Sequence, residues 1–200
     1  MKIVQQGWTW HTLPMPYKDM VFSISRAARN CYNSDLKSFE EEEKFIKNLI
    51  KRGHHSPLEH VSLSLLITTN RRVSHELVRH RLASYSQSSQ RYIRYDEVEF
   101  IEPIWLSDEK SNDYLIWMDS CDNCETDYKA LLLLGWQPQQ AGEVLNNSVK
   151  TSIVTTCNLR EWRHIIKLRT AKDAHPQMVA LMTSILNTFK QKFPVFFEDI

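Results

Sequence analysis

Glycine is scarce in this chain of 200 residues: Gly7, Gly53, Gly135 and Gly142 are all there is. Their spacing makes neither a Gly-x-Gly-x-x-Gly dinucleotide turn nor a Walker-type phosphate loop, so any nucleotide must be held by other means. Cysteine is equally sparse. Cys31, Cys121, Cys124 and Cys157 are few for a disulfide framework and read as reduced thiols. No apolar run approaches the roughly 20 residues of a membrane helix, and the first residues lack the hydrophobic stretch of a secretory signal. The expectation is a cytoplasmic protein with no membrane partner. Charge of one sign is not in excess either, because 25 Lys and Arg stand against 24 Asp and Glu, a formal net charge of +1. That balance argues against wholesale binding to a nucleic-acid backbone and leaves room for one local positive pocket. The absence of a Gly-x-Ser-x-Gly elbow excludes a serine hydrolase of that type.

What is present suits one folded domain spanning residues 1–200, since 42% of the residues are apolar and the chain is long enough for a substantial core. Met1 to Gln5 reads as a short strand, followed by an irregular connection marked by Trp8, Trp10, Pro14 and Pro16. Phe22, Ile24, Ala27, Ala28 and Cys31 space a helix from about Asp19. Ser38 with Glu41 makes a capping box for a second helix that buries Phe45, Ile46, Leu49 and Ile50 and ends at Gly53. A polar turn, His54 to His60, precedes a strand over Val61 to Thr69. Val73, Leu77, Val78 and Leu82 then predict a helix that carries Arg79 and His80 near its C-terminal end.

Tyr92 to Ile101 reads as extended structure, and Ser107 caps a long helix from Asp108 to Leu134. Pro138 begins a short helix reaching Leu145, and Ser148 to Cys157 is a Thr-rich strand. Asn158 with Glu161 caps a helix to about Arg169, and a last helix runs from about Pro176 to Lys192. Helices and strands in this order give an α+β class.

One stretch resists burial. Arg79 to Tyr92 holds three arginines, a histidine, four serines and two glutamines, and a desolvated guanidinium costs several kcal/mol or more without an anionic partner. With Arg94, Tyr85 and Tyr95 it interleaves phosphate forks with stacking faces. A solvated basic loop, an RNA-binding patch and a pocket for an anionic ligand all fit that composition. The Cys121/Cys124 pair lacks a second ligand pair and reads as inert helix cysteines; His54, His55 and His60 lack a third placed ligand, so no metal is assigned.

The order of these residues goes further than their composition. Arg79-His80-Arg81, then Ser89, then Arg91-Tyr92 resembles the signature of flavin-dependent thymidylate synthases. Ala27-Ala28-Arg29, His54 to His60, Asn158 to His164 with Leu168-Arg169, and Ala174 to Met178 are similar to that family's other motifs, so nearly the whole chain is covered. The resemblance implies a central twisted, mainly antiparallel sheet flanked by helices. It implies reductive methylation of dUMP to dTMP, with FAD as cofactor and methylenetetrahydrofolate and NADPH as co-substrates. It also implies a homotetramer whose active sites are shared between subunits.

Carried over by position, Ser56, Arg79, His80, Arg81, Gln87, Asn158, Arg160 and His164 would contact FAD. Glu76, Arg79, Gln87, Ser88, Ser89, Gln90, Arg91 and Arg169 would surround the deoxynucleotide. Arg169 takes the catalytic role, because a guanidinium beside a pyrimidine N3 and O2 stabilises the negative charge that makes C5 nucleophilic. Ser89 is read as a binding hydroxyl, and no cysteine nucleophile is implied.

The chain departs from the pattern at five places. Gly142 stands where the family usually has a phosphate-holding arginine, and Asn146 where a proline is frequent. Gln87 and Ser88 fall where acidic residues are common, and Glu76 where glutamine is common. One lost charge-assisted contact is worth about 1.5–3 kcal/mol, and Lys150 is near enough in sequence to replace it. Two other functions stay open here: C5 modification of another pyrimidine nucleotide such as dCMP, motivated by Gly142 and Glu76, and a non-catalytic nucleic-acid-binding module, motivated by the Arg/Tyr interleaving.

Overall fold

The computed structural model describes residues 1–106 and 108–200. Several of its helices begin where capping chemistry places them. Ser38 Oγ accepts from the Glu41 amide at 3.4 Å while the Glu41 carboxylate accepts from the Ser38 amide at 3.3 Å, and α2 (Phe39–Lys51) starts there. Gly53 then turns the chain away at φ +76°, a conformation a Cβ disfavours. Before it, α1 (Tyr17–Asn30) buries Met20, Val21, Ile24 and Ala28.

Asn70 caps α3 (Arg71–Leu77), its Oδ1 accepting from the Val73 amide at 2.8 Å. This helix is shorter than its apolar spacing predicts. Its last turn closes when Val78 and Arg79 donate to the carbonyls of Ser74 and Glu76, so Arg79 and His80 lie beyond the helix rather than on it. The chain is drawn instead into β4 (Ser84–Gln87), a strand that the serine-rich composition hides because its stabilisation is pairing and not propensity.

The long helix α4 (Asn112–Leu133) starts at Ser111, whose Oγ accepts from the Tyr114 amide at 3.4 Å. The expected cap, Ser107, lies outside the described residues. Beyond it come α5 (Pro138–Ala141) and a 3-10 turn over Gly142–Val144. Asn158 ends β6 (Lys150–Asn158) and caps α6 (Leu159–Arg169) by accepting from the Glu161 amide at 2.9 Å. Two further helices, α7 (Pro176–Lys192) and α8 (Pro194–Phe197), follow.

The strands β2 (Gly7–Trp10), β3 (Ser62–Asn70), β6 and β4 form an antiparallel sheet in the order β2-β3-β6-β4. A separate pair, β1 (Lys2–Val4) with β5 (Glu99–Ile101), is parallel with Ile3 opposite Phe100. The α+β class therefore holds. Two details differ from expectation. The Trp8-Thr9-Trp10 stretch is strand and not connection, and the extended return after Tyr92 becomes strand only at Glu99.

Two compact units share the chain: Met1–Trp8, Leu66–Arg79 and Tyr85–Val154 in the first; Thr9–Leu65, His80–Ser84 and Thr155–Ile200 in the second. In the first, Val98, Phe100, Cys121, Tyr128, Ala141 and Val149 make a buried cluster. The second is richer in rings. Phe189 packs against Trp10, Trp162, Phe193 and Phe197 with centroids 4.9–6.0 Å apart, and the Trp162 indole donates to the Leu63 carbonyl at 3.1 Å. Each such ring contributes about 1.5–3 kcal/mol by burial, enough to fix α6 as a rigid support for what its other face carries.

Candidate active site

Helix α6 divides its side chains between two duties. Leu159, Trp162, Ile165 and Ile166 are buried, whereas Arg160, His164 and Lys167 face a groove of about 830 Å³ that Asn158, His55 and Thr170 also line. Ligand clefts of this kind run to several hundred Å³ and hold a few convergent polar groups. Arg160 donates through Nη1 to Glu59 Oε1 at 2.5 Å, an exposed ion pair worth at most about 1 kcal/mol and therefore readily opened by an anionic ligand. A smaller hollow of about 360 Å³ holds His54, Ser56, Pro57 and Tyr32, and Arg160 borders it too. Ser56, Asn158, Arg160 and His164 are thus brought to neighbouring surfaces.

Arg169, the last residue of α6, is half-buried and donates through Nε to His80 Nε2 at 3.0 Å. An arginine N–H can only donate, so Nε2 must be the lone-pair nitrogen and the neutral ring carries its proton on Nδ1. That nitrogen faces Glu161 Oε1 at 3.8 Å. Burial, then the charges of Arg169 and His164, push the His80 pKa down to about 4, so the contact with Glu161 is not an ion pair at neutral pH. Burial also raises the Glu161 carboxyl, with His164 and Arg160 pulling the other way. The His164 ring stands edge-on to His80 with centroids 5.7 Å apart.

Among the described residues, His80, Glu161 and His164 place ligand-type atoms within 4.8 Å of one another. A metal on His80 Nδ1 would have to displace the ring proton and force Nε2 to become a donor facing the Arg169 N–H. The geometry is that of a hydrogen-bonded brace.

In the first unit the polar loop is organised differently. Gln87 donates through Nε2 to Ser74 Oγ and Thr151 Oγ1, each at 3.0 Å. Ser88 gives its amide (2.8 Å) and its hydroxyl (3.1 Å) to the Ser152 carbonyl. Ser89 Oγ accepts from the Arg91 amide at 3.3 Å, which forms a tight turn. Arg79 and Arg91 are exposed, as is Arg81 in the second unit, while Glu76, Gln87, Ser88, Ser89 and Gln90 are half-buried. Lys150 does not wait for a ligand: its Nζ pairs with Glu99 at 2.5 Å, and Lys2 shares that carboxylate at 3.2 Å. At Gly142 a Cβ would meet nothing nearer than Gln90 Cβ at 4.0 Å. The Cys121 thiol is pushed up to about 11 by burial and accepts from Asn146, as an inert cysteine should.

Comparison with known proteins decides what this arrangement belongs to. The family model described as Thymidylate synthase complementing protein matches residues 16–195. Over 88% of its length the chain is 34% identical to a flavin-dependent thymidylate synthase of Mycobacterium avium, covering 78% of that protein. It is 33% identical to one of Geobacter sulfurreducens and 32% to one of Corynebacterium aurimucosum, covering 80% and 78% of them. The chain belongs to the flavin-dependent thymidylate synthase family.

Within this flavin-dependent thymidylate synthase the structure brings together more than the site residues assigned from sequence. Glu59 enters as the partner of Arg160, and Glu161 as the carboxylate facing His80. Sequence offered Glu161 only as a capping partner, since nothing in the spacing of residues 80 and 161 reveals that they meet. Lys167 on the groove was legible as the residue three beyond His164, on the same helical face.

Proposed function

We infer that this enzyme converts dUMP to dTMP, binding FAD and using methylenetetrahydrofolate and NADPH as co-substrates. The observation that carries the reading is the bond from Arg169, at the end of α6, to His80, beside a cation-lined groove, in a chain of this family. The groove fits a flavin dinucleotide by its donors: Arg160, Lys167 and His164 offer charge and hydrogen bonds to a diphosphate, and Asn158 and His55 offer polar edges to a ring. Ser56, Arg79, His80, Arg81 and Gln87 complete the set we assign to FAD. FAD held there would supply a two-electron relay from NADPH for the reduction of the transferred methylene to a methyl group.

What the chain itself does is position and polarise. Arg169 places a fixed positive charge beside the pyrimidine N3 and O2 and stabilises the negative charge on the ring that makes C5 nucleophilic. Glu76, Gln87, Ser88, Ser89 and Gln90 surround the deoxynucleotide, and Arg79 and Arg91 supply guanidinium forks for its phosphate. We further propose one catalytic domain over 1–200, a cytoplasmic location and a homotetramer with shared sites. Exposed Leu115, Ile116, Leu133 and Leu134 on and after α4 are surface such an assembly would cover; sedimentation at a single-chain mass would rule it out. Among the described residues no helix is long and apolar enough to cross a membrane.

The decisive experiment is the absorbance spectrum of the purified protein, followed by its turnover. A flavin spectrum and dTMP formation that requires dUMP, the folate donor and NADPH are expected. Protein without flavin that forms no dTMP under loading conditions removes the reading. Preference for dCMP over dUMP in direct competition would replace the substrate alone, and steeply salt-dependent RNA binding by a flavin-free protein would favour the nucleic-acid alternative.

A further inference from the structure

Glu161 is 6% exposed and His80 5%, yet the reaction as read above gives Glu161 no task. Its backbone is fixed by the Asn158 cap in the first turn of α6, and Arg169 ends the same helix eight residues on, about 12 Å along the axis. His80, arriving from the turn after α3, touches both ends. It takes the Arg169 Nε–H on Nε2 at 3.0 Å and presents Nδ1 to Glu161 Oε1 at 3.8 Å. At that separation the carboxylate acts by charge and not by a formed hydrogen bond.

The sign of the action follows from the two tautomers. With the proton on Nδ1, an N–H dipole points at the carboxylate and a lone pair at the guanidinium, and both contacts attract. With the proton on Nε2, a lone pair faces the carboxylate and two N–H groups face each other, and both contacts repel. In a site this buried neither repulsion is screened by water.

We propose that Glu161 is a positioning residue: acting through His80, it holds the imidazole in the Nδ1–H tautomer whose Nε2 lone pair fixes Arg169 Nε, so that the terminal nitrogens of Arg169 meet the pyrimidine in one orientation. This rests on the assignment of Arg169 to the pyrimidine. Loss of orientation at a reacting centre lowers turnover by about 10²-fold per ångström, whereas substrate affinity, set by many contacts, changes little.

The test uses the FAD-loaded enzyme with Glu161→Leu, Glu161→Gln, Arg169→Ala and the double variant Glu161→Leu/Arg169→Ala. Glu161→Leu is expected to lower kcat by roughly 10- to 100-fold with KM for dUMP and flavin content within about 3-fold. Glu161→Gln keeps the shape but removes the charge, and is expected to lose nearly as much as Glu161→Leu. In the Arg169→Ala background Glu161→Leu should cost nothing more, because a residue that acts through Arg169 has nothing left to position.

An unchanged kcat in Glu161→Leu overturns the proposal, as does an equal loss in both backgrounds or a loss accompanied by release of flavin. If Arg169→Ala itself keeps the parent kcat, the Arg169 assignment has failed and the proposal falls with it. Should Glu161→Leu not fold, the side-chain ¹⁵N spectrum of histidine-labelled parent enzyme and Glu161→Gln decides. A Nδ1–H signal for His80, assigned by its absence in His80→Gln, that loses population to Nε2–H in Glu161→Gln supports the proposal, and the same tautomer population in both enzymes, or a Nε2–H signal in the parent, overturns it.

Discussion

Around His80 the polar groups answer one another, whereas from Ser84 to Arg91 they answer hydroxyls and carbonyls of neighbouring elements or the solvent. In the first region Arg169 donates to His80, His80 faces Glu161, and Glu161 sits on a helix whose start is fixed by Asn158. In the second, Gln87 and Ser88 are spent on Ser74, Thr151 and Ser152, while Arg91 stands exposed, as does Arg79 upstream. The difference matches the two roles proposed for these regions. A charge that stabilises a transition state works best when its direction is set before substrate arrives. A phosphate clamp can be completed by the phosphate itself, at the cost of ordering two long side chains.

The strongest way to break this comparison is to remove the braced charge. Arg169→Ala is expected to lower kcat by about 10²- to 10³-fold, the usual loss for one preorganised donor at a developing anion, with flavin content maintained. If Arg91→Ala lowers kcat as much while leaving KM alone, the distinction between a preset charge and a ligand-completed clamp is wrong.

Bracing His80 has a second consequence, in stability. Its pKa is near 4 in the folded chain against about 6.5 in an unfolded one. Between those values the unfolded state binds the extra proton, so the fold weakens as pH falls from about 6.5 and levels off below about 4. The whole window is worth roughly 3 kcal/mol. His80→Gln removes the titration, so its urea-unfolding free energy should change less between pH 7 and pH 4.5 than the parent's. Parallel pH curves for the two proteins would show that His80 is not held neutral.

How far each region was legible follows the same division. The caps at Ser38 and Asn158, the strand over residues 61–69 and the helix ending at Arg169 follow from local chemistry, and local chemistry is what a linear sequence displays. Arg169 and His80 were both named as site residues, yet their mutual contact depends on a long-range meeting of a turn with a helix end. The misreading of Arg79 and His80 as helical came from apolar spacing at Val73, Leu77 and Val78 that continues to Leu82, where the structure leaves Leu82 exposed at 77%. The strand β4 was invisible because serines earn no strand propensity and its pairing partner lies more than 60 positions away.

The loop region can be sharpened by adding what it lacks. Gly142 has an ordinary helical backbone, φ −60° and ψ −15°, and a side chain there first meets Gln90 Cβ at 4.0 Å, an ordinary contact. Gly142→Arg is therefore accommodated without strain. If the substrate phosphate is under-held, as the motif resemblance at this position implies, the added guanidinium should lower KM for dUMP by about tenfold or more, in line with about 1.5–3 kcal/mol for a charged hydrogen bond. An unchanged KM would mean that the phosphate is already satisfied by Arg79 and Arg91, or is placed elsewhere.

The smallest effect belongs to Lys150, the residue that sequence proximity offered as a substitute for the missing arginine. Its ammonium is committed to Glu99, whose carboxyl is held below its usual range first by that bond, against burial, and then by Lys2. Both partners are about one-third exposed, and Lys2 remains on Glu99 when Lys150 is gone. Lys150→Met should therefore cost about 1 kcal/mol or less in unfolding free energy and leave KM for dUMP within about twofold. A tenfold rise in KM would instead mean that Lys150 leaves Glu99 for the nucleotide when it binds, and that the loop region carries a preset charge after all.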